Sequence, residues 1–208
     1  MAISSLSKLG VPLQGNQSAS NQGLLMPKLQ YRFRVLFENF GVSKPTTELT
    51  KQVMTATRPS PEFTDVVIDV YNSQIHYAGK PKWSPISVVL RDDATGAVSK
   101  LVGEQIQKQF DFYEQASASS GIDYKFVTKI EILDGGNGAF EPIILETFEL
   151  YGCYIQKSDY KGGDYKASEP MDITLSIVYD NAIQVNEAGQ AVGIGANVGR
   201  TTRTLATG

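Results

Sequence analysis

The most constraining stretch of this 208-residue chain is Lys28 to Glu38, where side-chain character changes at almost every step. Leu29, Tyr31, Phe33, Val35 and Phe37 fall on one side, and Gln30, Arg32, Arg34 and Glu38 on the other, with Leu36 the exception. Successive side chains of a pleated strand point to opposite faces, so a period of two held this long predicts a strand with one wet and one buried face. A strand of that kind needs hydrogen-bonding partners and a covering layer. The chain therefore has to build a sheet over a core.

The remaining elements follow from periodicity and from chain breakers. Asn39 to Pro45 reads as a loop and Leu49 to Thr57 as a strand. Arg58-Pro59-Ser60-Pro61 must leave regular pairing, because proline lacks the ladder donor. Strand character resumes from Phe63 to Tyr71, turns at Asn72-Ser73 and returns over Gln74 to Ala78; Gly79-Lys80-Pro81 ends that return. Ile86 to Leu90 is a further strand, closing on Arg91-Asp92-Asp93. One stretch has a helical period: Val98, Leu101, Val102, Ile106, Phe110 and Tyr113 predict a helix over 98–116, capped by Thr95 or Asp93. Strands return at Tyr124–Leu133, Ile143–Ile155 and Met171–Tyr179, with turns at 134–138 and 161–164. The expected fold is mainly β, a single-domain antiparallel sandwich or barrel over 27–182 with one flanking helix. Polar or Gly-rich arms cover 1–26 and 183–208.

Composition removes several function classes. A chain this long buries roughly 70% of its extended surface on folding, so it needs no metal or disulfide staple. Nineteen Lys and Arg against 22 Asp and Glu leave a net charge of −3, unlike the basic excess of a protein built to grip nucleic acid. No apolar run approaches the ~20 residues of a membrane span. The first 23 residues, rich in Ser, Gln, Asn and Gly, lack the apolar centre of a signal peptide, so the chain reads as cytoplasmically made and not exported by that route. Cys153 and His76 are each alone, which excludes an internal disulfide and a Cys/His zinc site.

The motifs that look chemical have simpler readings. His76 lacks the orienting carboxylate and nucleophile that a general base requires in any sequence signature, so it reads as a structural or interface residue. Asp92-Asp93 stands where a strand runs into a helix, and carboxylates there cap amides. Asp134-Gly-Gly-Asn-Gly lacks both the closing GK[ST] of a phosphate loop and the spaced ligands of a calcium loop, and reads as a hairpin turn. The Gly193 to Gly199 glycine spacing has no βαβ unit around it. Catalytic, metal and cofactor sites are all expected to be absent. What remains is a strand-rich building block whose exposed edges another copy covers.

Several short segments, in order, carry a resemblance. Thr55-Ala56-Thr57-Arg58-Pro59-Ser60-Pro61 ends a strand near a proline; Ile75-His76-Tyr77-Ala78-Gly79 follows; Ile86 to Leu90 closes on Asp92-Asp93 before the helix. Further on come Thr147-Phe148-Glu149-Leu150-Tyr151-Gly152 and the strand Ile173 to Val178 with its final Tyr179-Asp180. In this order, over about Leu29 to Asp180, the chain resembles the tail tube proteins of contractile-tailed bacteriophages, which are related to secretion-system tube proteins. It departs from that pattern at the doubled proline of Arg58-Pro59-Ser60-Pro61 and in its long arms, which leave room for a role at a tube end.

The resemblance implies a structural protein of the virion, assembled in the host cytoplasm, without catalysis and without membrane insertion. Six copies would form a ring whose sheets join into one barrel, and rings would stack into a tube inside a contractile sheath. Implied partners are further copies, the tail sheath protein, baseplate and tail-terminator proteins, and, transiently in the bore, the tape measure protein and DNA. The region 59–79 would reach the adjacent ring, with Pro59, Pro61, Tyr71, Ile75 and Tyr77 as contact residues, and the helix would lie outside the barrel. A conduit must not hold its cargo: one basic protein binds duplex non-specifically with a Kd of roughly 10⁻⁴ to 10⁻⁶ M. Asp65 and Asp69 share one face of their strand while Val66, Ile68 and Val70 share the other, so the two carboxylates are expected to line the channel. The alternative is that this face is outer surface. Other readings are a tube-initiating baseplate protein, a secretion or injection-system tube subunit, and, in a different class, a ligand-binding β-barrel with Trp83 and Tyr77 lining its pocket.

Overall fold

The computed structural model describes residues 27–43, 46–134, 142–166 and 168–196. The chain divides after Arg32. Of the first unit, residues 27–32 are described: a turn in which the Arg32 amide donates to Leu29 O at 3.2 Å and its guanidinium lies over the Tyr31 ring. The predicted strand over 28–38 is therefore shorter at its start.

The second unit runs β1 (Phe33–Glu38), α1 (Thr47–Gln52), β2 (Val53–Ala56), β3 (Pro61–Val70), β4 (Ser73–Trp83), β5 (Ile86–Arg91), α2 (Ala97–Gln109), β6 (Phe110–Asp111), β7 (Ala116–Ser117), α3 (Gly121–Tyr124), β8 (Phe126–Leu133), β9 (Ile144–Tyr160), β10 (Asp172–Val178) and β11 (Asn181–Val185). Seven strands form one antiparallel sheet in the order β1-β8-β9-β10-β5-β2, with β11 also on β9, and the path does not close on itself. β10 and β11 lie end to end beside β9, β10 along Tyr154 to Tyr160 and β11 along Thr147 to Tyr151. That long ribbon links the β1/β8 half of the sheet to the β5/β2 half.

Alternation places one face of each half in a common core. Val35, Ile130 and Phe148 stand in one row across β1, β8 and β9, and Ile86, Ile177 and Ile155 in another across β5, β10 and β9. All six are buried. Helix α2 adds Val98, Leu101 and Val102. Its buried Gln105 is not a stray polar group: the side-chain oxygen accepts the Gly41 amide at 2.9 Å, and the nitrogen donates to Tyr124 O at 2.6 Å.

Two glycines of the motifs are forced by close approach. Gly152 has φ +68, and a Cβ there would fall on the Asp180 carboxylate. Asp180 in turn takes the Lys125 ammonium at 2.5 Å, and its amide donates to Tyr151 O. The glycine of one motif and the aspartate of the other thus meet at the irregularity in the β9 ribbon. Gly79 faces Thr64 across a register shift, where a Cβ would stand 2.7 Å from Thr64 O.

Several boundaries differ from the sequence reading. Residues 47–52 are helical, with Leu49 buried and Glu48 taking Lys51 at 2.8 Å, so the strand expected over 49–57 is only β2. Helix α2 stops at Gln109 instead of reaching residue 116, and Phe110 and Tyr113 lie outside it. There are three helices among the described residues, not one. Gly79-Lys80-Pro81 does not end the return strand; β4 absorbs it as a bulge and runs on to Trp83. Past Asp180 the chain adds β11, and residues 190–194 bond back onto it through Val192 N to Gln184 O and Gln184 N to Ile194 O. Most of the turn expected at 134–138 lies outside the described residues.

A candidate assembly interface: the projecting hairpin

Among the described strands, β3 and β4 pair only with each other, outside the main sheet. Their root is held in place. Pro59 is buried, Ser84 N donates to Ser60 O at 3.1 Å, and Trp83 packs on the buried Tyr179 with ring centroids 5.5 Å apart. Burial pushes the Tyr179 hydroxyl up to about 12. Beyond that root, nearly every residue of both strands is exposed on both faces.

The two faces are chemically distinct. Register puts Asp65, Val67, Asp69, Gln74, His76 and Ala78 on one, and Val66, Ile68, Val70, Ile75 and Tyr77 on the other. On the polar face His76 Nδ1 lies 2.9 Å from Asp65 Oδ2, and Gln74 donates to Asp69 Oδ1 at 2.8 Å. No described residue covers the apolar face, and each of its large side chains is 43–53% exposed. A two-stranded hairpin on its own is marginal in water, and a contiguous apolar stripe is the mark of a surface meant to be covered.

The tip adds a second signal. Tyr71 and Asn72 form the two-residue connection between Val70 and Ser73, and Tyr71 sits at φ +46, fully exposed. A bulky residue in the left-handed region costs about 1–2 kcal/mol, and glycine or asparagine ordinarily takes this place. Such strain is retained where the side chain has a use.

The sequence-derived residues fall out as follows. Tyr71, Ile75 and Tyr77 are exposed on the hairpin; Pro61 is half-buried where β3 begins. Pro59 is buried in the root, where the hairpin leaves the body. Asp65 and Asp69 do share a face, and the cross-strand pairing brings His76 and Gln74 to them, which spacing along the chain did not show. Asp93 accepts the Val98 amide at 3.0 Å and, with the Thr95 hydroxyl on it as the larger cause, has its carboxyl held below the ordinary value. The N-cap of α2 is Gly96, with no side-chain cap, and Asp93 satisfies the Val98 amide from three residues before it. Cys153 is buried, and desolvation raises its thiol to about 11, so it is a core residue and not a nucleophile. Among the described residues no group of three or more His, Cys, Asp or Glu could hold a metal ion. No helix among them is long and apolar enough to cross a membrane.

No protein-family model and no curated protein sequence matches the chain. Solved structures do. The tube-terminating cap of the anti-feeding prophage superposes at TM-score 0.59 with 11% identity, over 83% of this chain and 99% of that one. A chain of the anti-feeding prophage baseplate gives 0.58 with 11% identity, over 79% and 99%. A chain of the sheath-tube complex of an extracellular contractile injection system gives 0.54 with 13% identity, over 80% and 93%. The mainly β architecture of this protein is thus a fold it shares with chains of the anti-feeding prophage baseplate and tube-terminating cap and of the sheath-tube complex of a contractile injection system.

Proposed function

We propose that this protein is a non-catalytic tube subunit that assembles with copies of itself into stacked hexameric rings. The observation that carries the reading is the detached hairpin: an apolar stripe and a strained aromatic tip, rooted firmly in the core and covered by none of the described residues. Seating it on a copy in the adjacent ring covers the stripe, with Tyr71, Ile75 and Tyr77 in the contact. Because the donor surface and the receiving surface differ, the contact repeats from ring to ring and stacks. The sheet leaves β1 and β2 as its two ends, and pairing such edges around a ring finishes them. The polar hairpin face then supplies Asp65 and Asp69 to the bore, which passes DNA without gripping it in a phage tail. The sheath, the baseplate and the terminator are the neighbours at the outside and the ends, and the tape measure protein shares the bore. The particle is the virion, put together in the host cytoplasm, and residues 1–26 serve as an arm.

A second reading keeps the fold and changes the place. The structures matched above come from a prophage baseplate, a tube-terminating cap and the sheath-tube complex of an injection system, which favours a subunit that starts or ends a tube, or one from an injection particle. Electron microscopy of the purified chain at high concentration separates the two. Stacked hollow tubes support the main subunit, and single rings that do not stack support an end piece. A compact monomer at every concentration overturns both. In assembled tubes, changing Asp65 and Asp69 together to Lys is expected to retain duplex DNA in the bore; unchanged passage removes these residues from the lining.

A further inference from the structure

The hairpin needs a receiving surface, and a second patch, exposed among the described residues, has the complementary chemistry. After α2 the chain makes the small β6–β7 ribbon and then α3. Phe112, Tyr113 and Ile122 stand out from this bump at 63, 94 and 87% exposure. It is held rigidly. The Asp111 carboxylate accepts the Glu114 and Tyr113 amides at 3.2 and 2.9 Å and the Gln107 side chain at 2.7 Å, which hold its carboxyl below the ordinary value. Phe110 meets Phe112 edge to face, and Ser120 and Asp123 form a reciprocal cap on α3. Aromatics carried on a hydrogen-bonded backbone lose less entropy when a partner buries them.

Charge says which partner. Residues 109–124 contain Asp111, Glu114 and Asp123 and no Lys or Arg. The flanking cations are turned to their own chain, Lys108 onto the Asn39 and Gly41 carbonyls and Lys125 onto Asp180. The hairpin has the opposite balance near its root. Lys80 and Lys82 make no ion pair among the described residues, and Lys82 lies on the same face as Ile75 and Tyr77. Glu62 faces Lys82 across the ribbon, and Asp65 and Asp69 are on the far face.

We infer that the β6–β7 bump with α3 receives the apolar face of the hairpin from a second copy, with Lys80 and Lys82 against Glu114 and Asp123. This rests on the hairpin docking onto another copy, as proposed above. Both contact surfaces come from one sequence but from different places on it, as an assembly that repeats requires.

The test uses the full chain and sedimentation velocity across a concentration series. Glu114→Lys and Lys82→Glu are each expected to raise the concentration needed for assembly about two- to five-fold per contact, the size of an exposed ion pair, and the double variant to bring it back. Tyr77→Cys mixed with Tyr113→Cys is expected to give a disulfide-linked pair under mild oxidation, with Cys153 buried and silent. Circular dichroism confirms that each variant is folded. If the single variants assemble like the parent and the cysteine pair does not cross-link, the receiving surface lies elsewhere, while hairpin docking stands. If the parent never assembles, docking and receiving surface both fall.

Discussion

Gly152 and Tyr71 both hold positive φ, for opposite reasons. At Gly152 the backbone and Asp180 leave no room for any side chain. Gly152→Ala is expected to cost about 2–4 kcal/mol, read from urea or thermal unfolding, through left-handed strain plus displacement of Asp180 from Lys125. At Tyr71 a side chain is present where none is wanted by the backbone. Tyr71→Gly is therefore expected to leave the isolated chain as stable or about 1 kcal/mol more stable, yet to weaken assembly in sedimentation. If assembly is unaffected, the tyrosine has no role in contact. Gly152 was legible, because Thr147 to Gly152 stands out as a motif. The strain at Tyr71 was not, since the residue looks like the last member of an ordinary strand.

Among the elements, the loop between β1 and α1 is fastened to α2 through one carboxylate. Glu104 accepts the Ser43 hydroxyl at 2.6 Å and the Ser43 and Val42 amides at 2.7 and 2.9 Å, which together hold it down at about 2 against an ordinary 4.5. A carboxyl lowered by folding stabilises the native state above its unfolded value, so this contribution is complete above about pH 4.5 and is lost as pH falls towards 2. Glu104→Gln is expected to lower stability at pH 7 by about 1–2 kcal/mol and to flatten the acid limb of unfolding between pH 5 and 2. A parallel acid limb in the variant would show that the lock does not carry it. Element type was readable wherever alternation or a 3.6 period ran uninterrupted, as in β5, β10 and the body of α2. It failed at element ends, where single tertiary contacts decide. Gln109 stops α2 by bonding both Ile155 N and Ile155 O, taking the place of a strand neighbour for β9, and no local pattern announces that. Phe110 and Tyr113 continue the helical spacing on paper, but they lie outside the helix, exposed. Residues 47–52 were read through the β-branched residues after them.

At the scale of the molecule, the hairpin and the body are separable. Replacing residues 62–82 with a short Gly-Ser link keeps Trp83 on Tyr179 and leaves the core intact. The product is expected to be a folded monomer with a melting temperature near the parent's and no rings or tubes. Rings from that variant would show that the hairpin is dispensable. Antiparallel pairing, the apolar layers and the amphipathic hairpin were all visible in the sequence, because each is a local pattern repeated many times. What was hidden is whatever depends on two distant segments meeting: Asp65 with His76, the bump after α2, and β11 laid against β9.

The seventeen residues of β9 serve both halves of the sheet. Neither half can peel away while the other stays zipped, since they have a common spine. Damage at one rim is therefore shared by the whole body, and the subunit yields all at once or holds, which suits the tube subunit proposed above.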